Sequence, residues 1–200
     1  MIIGIDFDNT IIKYDNVFGR VAIEKKILSD SELKSKNDVK KLLISSDREN
    51  DWTELQGIVY GSHIMAAEPY ENFSDVFVSL LNAGHELKII SHKTKYPFIG
   101  KRINLRSAAM MWLKEKGIVG TGHNKLSETD VFFCSTITEK VAMQKKQRCD
   151  VFIDDLAKVL KLINPQVKRV LFDPNSEIDA CEQFNILRNW SDIEALLNDG

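Results

Sequence analysis

A chain of 200 residues with 44% hydrophobic side chains suits one globular domain with room for a modest insertion. At this size about 70% of the unfolded surface can be buried, enough for a core without disulfides or structural metal. The 27 basic and 29 acidic residues leave a formal net charge of -2 and no basic tract, which disfavours a long nucleic acid or an anionic membrane surface as partner and leaves open a small anionic substrate.

Ile2 to Thr10 reads as a buried strand running into an acidic loop. The apolar run with its β-branched residues fits a central parallel strand covered on both faces. At its end stand Asp6 and Asp8, which period-2 geometry sends to the same side, followed by Asn9 and Thr10, whose side chains suit a tight turn. A calcium loop is excluded, because that pattern needs Gly at its sixth position and Glu at its twelfth, where this chain has Ile11 and Val17. The strand opens the chain and no apolar run approaches about 18 residues, so no signal peptide or transmembrane helix is expected, and the location expected is cytoplasmic.

From Ile11 to Ala67 the apolar residues recur at helical spacing among many charges, predicting two or three amphipathic helices and no strand, with breaks or caps at Asn37-Asp38 and Ser45-Ser46-Asp47. We expect this segment to be a helical insertion over the carboxylates; a crossover helix with a long charged loop is the alternative. Trp52, Tyr60, His63 and Met65 read as packing residues rather than ligands. Phe73 to Leu81 is a helix ended by Gly84, and Glu86 to Ser91 a strand beside the first. Asn104 to Lys116 is a further helix and Val131 to Cys134 the third core strand. Thr138 to Gln147 is helical, capped by Ser135, Thr136 or Thr138. The strand Asp150 to Ile153 ends at Asp154-Asp155. Leu156 to Ile163 is helical, Val167 to Phe172 is a strand, Phe184 to Trp190 is a short sixth one, and Ser191 caps a last helix, Asp192 to Asn198. Strands alternating with helices predict an α/β fold with a doubly wound parallel sheet. Cys134, Cys149 and Cys181 have no metal-ligand spacing and read as buried reduced thiols.

In such a sheet the residues just after each strand meet in one crevice even when far apart in sequence. Asp6-Phe7-Asp8-Asn9-Thr10 resembles the first signature of the haloacid dehalogenase (HAD) superfamily, Asp-x-Asp-x-Thr after an apolar strand. Ser91 after the second core strand, Lys140 at the start of a helix, and Asp154-Asp155 after the fourth resemble its other three signatures, in order and in element. Taken singly, Ser91 also reads as a strand-end cap, Lys140 as one solvated lysine among several with Lys145 its rival, and Asp154-Asp155 as a helix N-cap.

The resemblance implies a Rossmann-like core over residues 1–12 and 68–200, with a small α-helical cap insertion at 13–67. It further implies a Mg²⁺-dependent phosphatase in which Asp6 is the nucleophile, Asp8 the general acid and base, and Ser91 and Lys140 the holders of the phosphoryl oxygens. Metal contacts fall to Asp6, Asp8 (by its backbone carbonyl), Asp154 and Asp155, since four carboxylates around one point need a cation. Asn9, Thr10, Ser91, His92 and Lys93 are candidates for substrate contact. His92, Lys93, Lys95 and Arg102 form a basic cluster that suits a second anionic group or a solvated face. The expected substrate is a small phosphorylated metabolite, a phosphosugar or a nucleotide monophosphate. A phosphomutase, or a non-catalytic module binding such a metabolite, is the alternative.

Overall fold

The computed structural model describes residues 1–29, 35–178 and 183–198, so Cys181 lies outside the described residues. In chain order its elements are β1 (Ile2–Ile5), β2 (Ile12–Lys13), α1 (Asp15–Glu24), α2 (Lys36–Ser45), α3 (Glu49–Tyr60), β3 (Glu68–Pro69), α4 (Phe73–Asn82) and β4 (Glu86–His92). There follow α5 (Leu105–Glu115), β5 (Val131–Cys134), α6 (Ile137–Lys146), β6 (Val151–Asp154), α7 (Ala157–Leu160), β7 (Lys168–Phe172), β8 (Asn185–Leu187) and α8 (Ile193–Asn198). Two compact units result: Met1–Ile12, Pro69–Lys93 and Gly117–Gly200 make one, and Lys13–Glu68 with Thr94–Lys116 make the other.

The first unit carries a six-stranded sheet in the order β5-β4-β1-β6-β7-β8, with every pairing parallel. Counted by succession of its own strands, the order is 3-2-1-4-5-6, the doubly wound arrangement whose direction reverses beside the first strand. β1 is central because it can be buried on both faces: Ile3 and Ile5 are inaccessible, and the strand pairs with β4 through Ile5↔Ile89 and with β6 through Ile5↔Ile153. Gly4 is required by close approach, since a Cβ there would lie 2.6 Å from Phe152 Cδ2 and 2.9 Å from Cys149 Sγ. The core below these strands gathers Ile90, Cys134, Cys149, Phe152, Val159, Leu160, Ile163 and Leu171, and the two cysteines are free thiols.

Local chemistry explains the helix ends. After α4, Gly84 takes φ 79° and the amides of Gly84 and His85 return to the carbonyls of Leu81 and Leu80, as expected of a C-terminal glycine. The last helix departs from expectation. Its lead-in is capped by Asn189, whose Oδ1 accepts from the Ser191 amide, and a single 3₁₀ turn, Trp190–Asp192, feeds α8. Asn189 takes the role assigned to Ser191 because it stands before that turn, where an acceptor reaches a free amide.

In the second unit, α2 begins one step before the expected break. Ser35 and Asp38 form a reciprocal capping box, which places Asn37-Asp38 inside the first helical turn. The unit's interior is aromatic. Phe18 stacks on Trp52 with ring centroids 5.1 Å apart, and Tyr14 meets Tyr60 edge-on at 4.9 Å. Residues 94–116 group here too: Trp112 is buried and donates its indole N–H to Ala67 O at 2.9 Å, while Gly57 lets Pro97 approach where a Cβ would stand 2.7 Å away. His63 reaches Glu24 at 3.5 Å and Met65 is exposed.

Candidate active site

The carboxyl ends of β1, β4 and β6 and the first turn of α6 converge on one point of the sheet. The loop after β1 is tight because the Phe7 carbonyl accepts from the amides of Thr10, Ile11 and Ile12, and Asn9 sits at φ 61°, a left-handed conformation that Asn adopts more readily than most residues. The Asp6 amide donates to Ile153 O at 2.9 Å, which ties the start of this loop to β6.

Lys140 is the centre of the arrangement. Thr136 caps α6 by accepting from the Glu139 amide, and this sets Lys140 in the first turn, facing inward. Its Nζ lies 2.5 Å from Asp6 Oδ1 and 2.6 Å from Asp154 Oδ2, with all three side chains buried. Of the two candidate lysines, Lys140 is the one placed among the acids; Lys145 is exposed. Burial alone would lower the Lys140 pKa, but the attraction of Asp6 and Asp154 outweighs it and holds the ammonium charged, above the ordinary lysine range. For Asp154, burial is the largest influence and the Asp6 charge adds to it, so its carboxyl is raised to about 6 despite Lys140 and the Leu156 amide.

Asp6, Asp154 and Asp155 each offer a carboxylate oxygen within 4.8 Å of the others. An all-oxygen donor set is the kind that hard cations prefer. Three carboxylates in one place repel one another, a conflict that a bound cation would relieve. Asp154 Oδ1 accepts from the Leu156 amide at 2.9 Å, and Asp155 Oδ2 accepts from Asn9 Nδ2 at 3.3 Å, so both acids are oriented. Asp6 uses Oδ1 for Lys140; its Oδ2 takes no protein hydrogen bond among the described residues.

Two hydroxyls are buried without a partner among the described residues: Ser91 Oγ, near the end of β4, and Thr10 Oγ1. A buried hydroxyl left unpaired costs about 1–3 kcal/mol, which a bound oxyanion would offset at Ser91. His92 donates from Nε2 to Ser135 O at 3.0 Å. Lys95 and Arg102 belong to the second unit and stack on Tyr96, Arg102 Cζ at 4.2 Å from the ring centre.

The Asp8 carboxylate is held by Lys93, whose Nζ lies 2.8 Å from Oδ2 and 3.0 Å from Oδ1, and the ammonium is 5.4 Å from the Phe7 ring centre. Sequence reasoning placed Lys93 among substrate contacts and had no signal for this pair.

A parallel sheet ordered 3-2-1-4-5-6 with acids gathered at the switch point defines a class: α/β proteins that bind a ligand at the carboxyl ends of the strands. No protein-family model and no curated protein matches the chain. Among solved structures it is similar to a HAD family hydrolase from Deinococcus radiodurans R1 with bound phosphate and sodium, at a TM-score of 0.60 and 12% identity over 98% of this chain and 93% of that one. It is also similar to a HAD phosphatase from Thermococcus onnurineus, at 0.54 and 13% over 98% and 97%. A HAD-superfamily hydrolase from Ehrlichia chaffeensis aligns at 0.53 and 12% over 98% and 94%. The chain has the fold of the haloacid dehalogenase superfamily.

Proposed function

We propose that the protein is a phosphomonoester hydrolase working through an aspartyl-phosphate on Asp6. The observation that carries this reading is the Asp6 carboxylate, with one oxygen held by Lys140 and the other free beside Asp154 and Asp155. Asp6 Oδ2 attacks phosphorus, and the bond to the ester oxygen breaks as that oxygen takes a proton from Asp8. Water then attacks phosphorus with Asp8 accepting its proton, which releases inorganic phosphate and restores Asp6.

Lys140 keeps its charge throughout and offsets the negative charge gathering at Asp6. Ser91 Oγ donates to a phosphoryl oxygen, which gives that buried hydroxyl a partner. Asp6, Asp154 and Asp155, with the Asp8 backbone carbonyl that the family resemblance implies, would hold Mg²⁺, which supplies positive charge to the phosphoryl oxygens when bound. The substrate proposed is a small phosphorylated metabolite, a phosphosugar or a nucleotide monophosphate, and the site proposed is cytoplasmic. No helix among the described residues is long and apolar enough to cross a membrane.

The test is a screen of phosphorylated metabolites for phosphate release with Mg²⁺, with Asp6→Asn as the control. Turnover should be lost in Asp6→Asn while the variant melts within a few degrees of the parent. Undiminished release by purified Asp6→Asn would exclude the nucleophile role. Movement of phosphate within the substrate, without release, would make the protein a mutase.

A further inference from the structure

The two acids of Asp6-Phe7-Asp8 have separate lysines. Lys140 serves Asp6, and Lys93, which follows the last residue of β4, serves Asp8. Lys93 is fixed at both ends: its amide donates to Cys134 O at 2.8 Å, and its ammonium donates to both oxygens of Asp8. Only 2% of its side chain is exposed, against 18% for Asp8, so the cation is dry while the carboxylate is partly exposed. A lysine so buried and doubly engaged is poorly placed to seek an anion in solvent.

Two-point contact fixes the rotation of a carboxylate, which a single hydrogen bond does not. The fixation is needed here. Three other carboxylates, Asp6, Asp154 and Asp155, lie within a few residues or one strand of Asp8, and an Asp8 without a fixed partner would be repelled by them. A proton donor must instead stand within hydrogen-bond reach of the leaving oxygen, about 3 Å.

We infer that Lys93 is a positioning residue for Asp8: it holds that side chain against the repulsion of Asp6, Asp154 and Asp155 and toward the leaving oxygen, by both oxygens when Asp8 is ionised and by one when Asp8 carries the proton that it donates. The inference rests on the hydrolase reading. Lys93 then acts through Asp8 and does not touch the phosphoryl group.

The experiment compares kcat/KM of the wild type and Lys93→Met over a series of phosphate monoesters, from acidic phenols to alkyl alcohols, with inhibition by inorganic phosphate measured alongside. A poor leaving group needs the proton and a good one does not. Lys93→Met should therefore lose on the order of 100-fold with alkyl esters and only a few-fold with nitrophenyl phosphate, while inhibition by phosphate stays within about twofold. In an Asp8→Ala background the same substitution should change kcat/KM by less than about twofold, since nothing remains to be positioned. Lys93→Arg, which keeps the charge, should steepen the leaving-group dependence in the same sense but less, and it replaces Lys93→Met if that variant does not fold. Equal losses for all esters with weakened phosphate inhibition would make Lys93 a phosphoryl ligand. Loss of melting temperature with the leaving-group dependence unchanged would make it a structural pair. Either result overturns the proposal, as do multiplicative losses in the double variant. If the wild type hydrolyses no ester of the series, the hydrolase reading itself fails and the proposal goes with it.

Discussion

Lys140 Nζ and Asp6 Oδ1 stand 2.5 Å apart across 134 positions of sequence, both side chains buried, and the same ammonium reaches Asp154 Oδ2 at 2.6 Å. One cation thus stands between two anions that are out of water. Removing it by Lys140→Met leaves two like charges buried without a counter-ion, which should destabilise the protein by about 3–5 kcal/mol. The sign of the pH dependence follows. The native Asp154 carboxyl is already raised, and without Lys140 it rises further, so the native state binds a proton that the unfolded chain has released. The variant should recover stability as pH falls toward 5 and lose it again toward 8. Melting curves at the two pH values, beside the parent, check this.

Divalent metal should stabilise the protein only through the three acids. At tenfold saturation Mg²⁺ should contribute about 1.4 kcal/mol, seen as a rise of a few degrees in melting temperature. Asp154→Asn combined with Asp155→Asn should abolish the rise, and chelator should abolish turnover of the parent. A metal-induced shift that survived in the double variant would place the cation elsewhere.

Gly4→Ala should destabilise by about 1–3 kcal/mol, because the added methyl would stand 2.6 Å from the Phe152 ring and 2.9 Å from Cys149 Sγ, inside the most buried part of the sheet. Denaturant unfolding at constant slope measures it. The paired substitution Gly4→Ala with Cys149→Ala relieves one of the two contacts and should recover part of the loss.

Burial and the neighbouring Asp150 push the Cys149 thiol up from 9.0 to about 11. The native state therefore keeps its proton over a window where the unfolded chain has lost it, and stability should fall as pH rises from 9 to 11, by about 2–3 kcal/mol in total. Cys149→Ala should flatten that slope. In the folded parent the thiol should resist alkylation at pH 8, whereas unfolding should expose it at once.

The central strand, the alternation of strands and helices, and the meeting of Asp6, Lys140, Asp154 and Asp155 were legible without coordinates, because apolar periodicity reports burial and a parallel sheet brings strand ends together wherever they lie in the chain. Helix caps were less so. The side chain that caps is chosen by which acceptor reaches a free amide, and Ser35 and Asn189 won over the residues the spacing favoured. Periodicity says that Asn104 to Lys116 is helical and says nothing of its partner, which the burial of Trp112 and the approach of Pro97 to Gly57 decide. Lys140 and Lys145 are the same residue type on the same helix, and only the direction of the first turn, set by the Thr136 cap, sends one of them among the acids. The pairing of Lys93 with Asp8 is decided wholly by tertiary structure. It depends on where the turn at Asn9 aims a carboxylate and where the end of the neighbouring strand delivers an ammonium, and neither direction is written in the spacing of residues along one chain.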